Sequence, residues 1–211
     1  MTDKKQKLLL VWALPREVVS VSLPGWDVVQ VVTGVGKARA ALMTMRALME
    51  HRPQAVLNVG TAGAFSLEVG DIAVCLRFWE RDFARCALPG VDYELRSAGV
   101  PFQACLPSVL QGRTTLRECT VSTGDDFVTE GDAGHADVVD MEAFAVWQAC
   151  REMGVPMAAV KCVTDIVGRN SVADWQDRLA GARMSLAAYF TDVARRMQEA
   201  LDKKNAPDGD R

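Results

Sequence analysis

Short apolar runs with the length of buried strands alternate along this chain with segments of helical periodicity. Residues 7–13 and 26–32 are the first two such runs, and 38–49 then places alanine, leucine and methionine on one face at helical spacing. Further strands are predicted at 54–59, 71–76, 117–122 and 156–163, and further helices at 144–152 and 174–201. This alternation predicts an α/β fold of three layers, in which a mixed, mainly parallel twisted sheet is flanked by helices.

The length of 211 residues, of which 49% are hydrophobic, fits one compact domain with a large core. We assign residues 1–201 to that domain and 202–211 to a charged, flexible tail. The stretch 77–112 is rich in proline and glycine, and it predicts loops and short elements rather than long ones.

Charge and cysteine usage exclude several classes of protein. The formal net charge of -3 argues against nucleic acid or an anionic membrane as the main partner. The apolar run 8–14 is too short to span a bilayer. The six cysteines include no Cys-x-x-Cys pair, and the chain has only two histidines, His51 and His135. We therefore expect a reduced, cytoplasmic protein with neither a metal site nor a cofactor.

Two acidic residues, Glu142 and Asp165, stand at the ends of short apolar segments, and Glu17 follows the first predicted strand. A carboxylate at the mouth of a core is costly unless it is paired, hydrogen-bonded or in contact with a ligand. One such residue alone is more often a helix cap or an ion-pair partner. Three of them at strand ends favour a functional site.

Glycine-rich turns follow several of the same strands, at 33–37, 60–63 and 124–128. Ligands of α/β proteins bind at the carboxyl ends of strands, so this shared position indicates a single site. Each motif alone is a weak signal. Residues 33–37 fall short of both the dinucleotide fingerprint and the phosphate-binding loop.

Seven short motifs, in this order, resemble the nucleoside phosphorylase/nucleosidase superfamily, and the chain is most similar to its 5′-methylthioadenosine/S-adenosylhomocysteine nucleosidases. They are Ala13-Leu14-Pro15-Arg16-Glu17-Val18, Thr33-Gly34-Val35-Gly36-Lys37, Asn58-Val59-Gly60-Thr61-Ala62-Gly63, Val69-Gly70-Asp71-Ile72, Ser122-Thr123-Gly124-Asp125-Asp126-Phe127, Asp140-Met141-Glu142-Ala143 and Val163-Thr164-Asp165. The resemblance implies cleavage of the N-glycosidic bond of a purine nucleoside. Water is the acceptor in the nucleosidases and phosphate in the phosphorylases.

The resemblance also implies roles for three acids in this sequence. Asp165 is expected to donate a proton toward the purine N7, and Glu17 to position and deprotonate the attacking water. Glu142 is expected to bind the ribose hydroxyls and to stabilise the positive charge that develops on the sugar.

The binding residues implied by the resemblance surround the substrate on its other sides. Phe127 is expected to stack on the base, with the backbone of Val128 bonding its edge. Met141 is expected to pack on the sugar. The remaining contacts are Thr61 with Gly63 on the water side, and Val35 and Leu14 at the 5′ substituent.

Simpler interpretations stand beside these roles. Phe127 and Met141 are residue types that more often fill a core, and Glu17 fits the first turn of a helix after Pro15. Lys37 and Arg39 are expected to face solvent.

Two features bear on substrate and acceptor. Asp126 stands before the stacking phenylalanine where the family has a small residue, so the sequence leaves open which purine base is preferred. Arg16 is the only basic residue expected near a phosphate position, which favours hydrolysis. A phosphorylase and an inactive nucleoside-binding protein remain alternatives, and the resemblance leads us to expect a homodimer.

Overall fold

The structure, a computed structural model, describes residues 5–86, 89–128, 136–168 and 172–205, with no side-chain detail for 172–174. His135 and the tail residues 206–211 lie outside this range. The strands are β1 (Gln6–Trp12), β2 (Trp26–Val32), β3 (Ala55–Ala64), β4 (Ile72–Glu80), β5 (Glu94–Arg96), β6 (Ser108–Leu110), β7 (Arg113–Thr115), β8 (Cys119–Thr123), β9 (Val138–Asp140) and β10 (Met157–Ile166). The helices are α1 (Lys37–His51), α2 (Arg81–Cys86), α3 (Ala143–Glu152) and α4 (Val172–Asn205).

The described strands form one mixed sheet. Strands β2, β1, β3 and β10 are neighbours in that order and all run parallel. β10 then pairs antiparallel with β4, β4 and β8 pair in parallel, and β8 does the same with β9. Because β9 also pairs with β3, strands β3, β10, β4, β8 and β9 close into a ring. Because β9 runs antiparallel to β3, its residues Val138 and Val139 lie beside Ala64 and Gly63 at the end of β3.

Helices cover both faces of the sheet, as predicted. Alternate residues of β1 point to opposite faces, with Leu10 in one core and Leu9 in the other. The first core includes Leu186 and Phe190 of α4, and the second includes Leu48 of α1 with residues of α3. The predicted three-layer α/β class is confirmed.

Three strands continue farther than the sequence predicted: β4, which was expected to end at 76, reaches Glu80, and β3 and β10 are also longer. β3 runs through Gly60 and Gly63 to Ala64, where we expected a turn, and β10 runs through Asp165 to Ile166. The two pair with each other over this whole length, so neighbouring backbone stabilises extended glycines that would favour a turn alone. Strand β9 was not predicted because three residues carry no readable alternation. Helix α4 extends to Asn205, four residues beyond its predicted end at 201.

Neither disulfide bonds nor metal-binding clusters are seen among the described residues. All six cysteines are free thiols. The described residues hold no group of three or more histidines, cysteines or acids suited to a metal ion. None of the described helices combines the length and the apolar character that crossing a membrane requires.

Candidate active site

A cavity of about 350 Å³ opens at the carboxyl ends of β1, β3 and β10. Every site residue named from the sequence lines it: Leu14, Glu17, Val35, Thr61, Gly63, Phe127, Val128, Met141, Glu142 and Asp165. The chain brings them together from six separate segments. The structure therefore places them around one cavity, which is where strand ends of an α/β sheet hold ligands.

Further residues of the cavity wall were missed from the sequence, notably Arg81, Asp140, Trp175 and Gln176. Asp140 lies in the same apolar segment as Glu142, so the same reasoning applied to it would have found it. Arg81 lies within the stretch 77–112, which is rich in proline and glycine and shows no clear periodicity. Trp175 lies near the start of α4, where no local signal distinguishes a cavity contact from core packing.

Glu17 is buried beside β3 and is held by three hydrogen-bond donors. Its Oε1 accepts from the Thr61 hydroxyl at 2.7 Å and from the Thr61 amide at 3.2 Å. Its Oε2 accepts from the Leu14 amide at 3.0 Å, which closes the short 3-10 turn Pro15–Glu17. The capping role is therefore real, but it uses one oxygen only. The other oxygen is oriented toward Thr61 at the cavity.

The Thr61 hydroxyl has a fixed direction because of Trp175. The Trp175 Nε1 donates to Thr61 Oγ1 at 3.0 Å, and the indole nitrogen is a donor only. The hydroxyl hydrogen consequently points to Glu17. The guanidinium of Arg16 lies 4.8 Å from the centre of the Trp175 ring, within range of a cation–π contact.

Glu142 immediately precedes α3 and faces the N-terminus of α1. Its Oε1 accepts from the Gly36 amide at 2.9 Å. Gly36 has φ 95°, a conformation that favours glycine. Burial raises the pKa of Glu142 to about 7, and the neighbouring charges of Asp140 and Glu17 act in the same direction. Its side chain does not cap α3, because Asp140 Oδ2 accepts from the Ala143 amide at 2.9 Å instead.

Asp140 belongs to a buried ion pair next to Glu142. The Lys161 ammonium lies 2.8 Å from Asp140 Oδ2, and Lys161 is 2% exposed. Thr123 donates to Asp140 Oδ1 at 2.6 Å. Such pairing and hydrogen bonding offset part of the cost of burying a carboxylate. Lys161 partly offsets the effect of Asp140 on Glu142.

Asp165 reaches the cavity from a bulge in β10. The register with β3 shifts between Val163 and Asp165, and a bulge of this kind re-aims a side chain. The Thr164 hydroxyl donates to Asp165 Oδ1 at 2.9 Å. A Cβ on the facing Gly63 would lie 2.7 Å from Asp165 Oδ2, so only glycine lets the carboxyl approach β3 this closely.

The segment 124–128 carries Phe127 and Val128 at another part of the cavity wall. Phe127 is 37% exposed, which is unusual for a residue whose simplest role would be core packing. Asp126 is engaged by the guanidinium of Arg81 at 2.8 Å. We had expected Arg16 to be the only basic residue near the site. Arg81, which lies within the 77–112 stretch, also lines the cavity, so that prediction was wrong.

Lys37 does not face solvent, and that prediction was wrong. Its ammonium pairs with Glu80 and lies 2.6 Å from Asp82. The two acids reach it because β4 extends to residue 80 and ends beside the N-terminus of α1. Arg39 is exposed, and its Nε donates to the Thr33 carbonyl at 3.2 Å.

Comparison with known proteins agrees with this geometry. Residues 14–195 match the sequence model of the phosphorylase superfamily. A 5′-methylthioadenosine/S-adenosylhomocysteine nucleosidase of Anoxybacillus flavithermus is 28% identical over 87% of this chain and 85% of its own. One from Bacillus cytotoxicus is 27% identical over 83% of this chain and 84% of its own.

Solved structures share the fold. The 5′-methylthioadenosine/S-adenosylhomocysteine nucleosidase of Colwellia psychrerythraea, in complex with adenine, superposes with a TM-score of 0.76 at 23% identity, covering 92% of this chain and 96% of that one. Futalosine hydrolase of Helicobacter pylori gives 0.76 at 18% identity, covering 91% and 98%. At these identities the likeness shows the architecture alone.

Proposed function

Because the chain belongs to the phosphorylase superfamily, we propose that it is a nucleosidase, an N-glycosyl hydrolase that cleaves a purine nucleoside of the 5′-methylthioadenosine/S-adenosylhomocysteine type into free base and sugar. One observation carries the proposal. Three buried carboxylates, Glu17, Glu142 and Asp165, converge on one cavity in three different hydrogen-bond environments. Distinct environments let chemically similar groups take different roles in one reaction. The names of the relatives support the same reaction class.

Breaking the bond between ribose and purine leaves an electron-rich base and a cationic sugar. Asp165 supplies the proton that the departing base takes up at N7. Asp165 is buried at the cavity, with 4% of its surface exposed. The Thr164 hydroxyl holds one carboxyl oxygen in place.

The sugar lies between Glu142 and Met141. The anionic carboxylate binds the ribose hydroxyls and stabilises the positive charge that grows on the ring in the transition state. The hydrogen bond from the Gly36 amide fixes its orientation beforehand, so little reorganisation is needed during the reaction.

Glu17 activates the water. Its two oxygens are held by Thr61 and Leu14, and this orients the carboxylate without a large movement of the side chain. The water loses a proton to Glu17 as it attacks the sugar carbon that the base leaves. Phe127 stacks on the base, the backbone of Val128 bonds its edge, and Leu14 and Val35 contact the 5′ substituent.

Water is favoured over phosphate as the acceptor because the described cavity wall offers few cationic donors. The N–H groups of Arg81 are all directed to protein acceptors, which leaves the guanidinium of Arg16, whose face lies over Trp175. A phosphate dianion bound there would need cationic donors of its own.

The test is release of free base from a panel of nucleosides, with and without inorganic phosphate. The panel comprises adenosine, inosine, methylthioadenosine, S-adenosylhomocysteine and a larger 5′-substituted nucleoside. Release without phosphate supports the nucleosidase and identifies its substrate. Release only with phosphate would make the protein a phosphorylase, and binding without release would make it an inactive nucleoside-binding protein.

The pH dependence gives a further prediction for Glu142. Its pKa of about 7 means that it gains a proton as the pH falls through neutrality, and the neutral acid no longer stabilises the cationic sugar. We expect kcat/KM to fall by up to about tenfold per pH unit below that pKa. Glu142→Gln should lower kcat and remove this acid limb, as measured by initial rates from pH 5 to 9.

A folding control accompanies that variant. Because burial disfavours the charged form of Glu142, the neutral glutamine should leave the protein at least as stable as wild type above the same pKa. Thermal denaturation at high pH measures this. An unchanged acid limb in folded Glu142→Gln would rule out Glu142 as its source.

We further propose that residues 1–201 act as a single domain, that the protein works in the cytoplasm and that it forms a homodimer. The six free thiols suit a reducing compartment. Leu42 and Met49, on one face of α1, are 68% and 63% exposed, and an apolar surface of this kind is typical of an interface. Light scattering coupled to size-exclusion chromatography measures the oligomeric state.

A further inference from the structure

Arg81, the first residue of α2, is a buried cation at the cavity to which the proposed reaction gives no role. It is 4% exposed, and its guanidinium is surrounded by acceptors. Nε and Nη2 donate to Asp126 Oδ1 at 3.0 and 2.8 Å, and Nη2 also donates to the Asp126 carbonyl at 2.5 Å. Nη1 donates to the carbonyls of Ser122 and Asp140, both at 3.0 Å.

These bonds account for the whole donor capacity of an arginine, which has five N–H groups. The guanidinium has therefore no donor to spare for a ligand. Its contribution to binding must act through the protein segments that it holds.

Those segments are the ones that carry the proposed base and sugar contacts. Ser122 lies in β8, and Asp140 is the last residue of β9, directly before Met141 and Glu142. Asp126 directly precedes Phe127 and Val128. One side chain thus links the ends of two neighbouring strands to the segment 124–128.

Segment 124–128 also packs closely against the guanidinium of Arg81. A Cβ on Gly124 would lie 2.7 Å from Arg81 Nε and 2.7 Å from Asp82 Oδ1. The backbone next to Gly124 is anchored as well, because the Asp125 amide donates to Asp82 Oδ2 at 3.0 Å. Asp125 Oδ1 in turn accepts from the Lys37 amide at 2.8 Å.

The negative charge of Asp126 stabilises its ion pair with Arg81. Partial burial acts to raise the pKa of Asp126, but the hydrogen bonds and the charge of Arg81 outweigh it and lower the pKa. Asp126 consequently stays ionised at neutral pH, and the two N–H groups that converge on its Oδ1, together with the one on its carbonyl, fix the relative orientation of both groups.

We propose that Arg81 is the positioning residue for the base end of the cavity: through Asp126 and the carbonyls of Ser122 and Asp140 it holds segment 124–128 in the conformation that receives the purine. This inference rests on the proposed function. A partly exposed Phe127 on an untethered segment would have to be ordered when ligand binds, and that ordering would weaken affinity.

The test is the affinity for free adenine, measured by calorimetry, together with KM and kcat for the nucleoside that wild type cleaves. Arg81→Lys keeps the charge but loses the planar fork, and Asp126→Ala removes the carboxylate that the fork binds. Both should raise the adenine Kd and the nucleoside KM by about tenfold, with a smaller effect on kcat. The double variant should be no worse than the worse single variant, because the two side chains act as one unit.

Arg85→Gln is the matched control. Arg85 is exposed and reaches the other oxygen of Asp126 at 3.4 Å, so its loss removes a nearby positive charge and leaves the buried contacts intact. Its adenine Kd should equal that of wild type. An equal loss in Arg85→Gln would make the effect one of net charge and overturn the proposal.

The outcomes also separate this inference from the proposed function. If the variants fold and keep the wild-type adenine Kd and nucleoside KM, the positioning role is overturned. It is also overturned if only kcat and the thermal stability fall while the adenine Kd stays at the wild-type value. If Arg81→Lys does not fold, the adenine Kd of Asp126→Ala decides. If wild type binds adenine but cleaves no nucleoside, the proposed function fails while the adenine measurements still test Arg81.

Discussion

Asp165→Asn is expected to lower kcat by at least about a hundredfold, because asparagine has the shape of aspartate but no acidic proton for the departing base. The bulge in β10 and the close approach to Gly63 place this group where no other described acid of the cavity substitutes for it. Steady-state release of free base measures the effect. Near-normal turnover in the variant would refute the assignment of Asp165 as general acid.

Two controls make that experiment specific. A substrate with 4-nitrophenol in place of the purine needs little protonation to leave, so the variant should cleave it with a much smaller loss. Asp71→Asn changes a buried aspartate outside the cavity, whose oxygens accept from the amides of Glu68 and Gln111. Its kcat should match that of wild type.

Glu17→Gln is expected to lower kcat by roughly a hundredfold or more, because glutamine accepts no proton from the attacking water. The amide keeps the size of the carboxylate and its oxygen can still accept from Thr61, so the substrate KM should change little, while the NH2 group cannot accept from the Leu14 amide and the loss of that bond should lower the stability slightly. Base release at saturating nucleoside measures the loss.

An external nucleophile provides the matching rescue. Azide carries no proton that must be removed, so it should restore part of the base release in Glu17→Gln and yield a sugar azide. Glu68→Gln removes an exposed carboxylate near the turn before β4 and serves as the control for lost charge. Failure of azide together with a raised KM would make Glu17 a binding group instead of a base.

The fold class and the candidate site were accessible from the sequence for different reasons. Apolar periodicity is a local property, and it is strong in β1, α1 and α4, so these elements were predicted to within a few residues. Glu17, Glu142 and Asp165 stood out because a carboxylate beside an apolar run is costly. Their roles came from a resemblance carried by seven ordered motifs.

Contacts between distant segments were not accessible in the same way. Trp175 and Thr61 are 114 residues apart, and nothing near either residue signals the hydrogen bond between them. The same holds for Lys37 with Glu80 and for Arg81 with Asp126. A lysine at the start of a helix is usually solvated, and only the end of β4 beside it makes Lys37 a half-buried ion-pair partner.

The sequence by itself determined the three-layer α/β class, which follows from local patterns of apolar residues, and through the family resemblance it identified ten of the residues that surround the cavity, but not Arg81, Trp175 or Gln176. Only the tertiary structure decided where β3 and β10 end, which oxygen of Glu17 faces Thr61, and what holds Phe127 in place. The physical reason is that strand pairing, burial and charge pairing depend on neighbours that the folded chain supplies from far along its length.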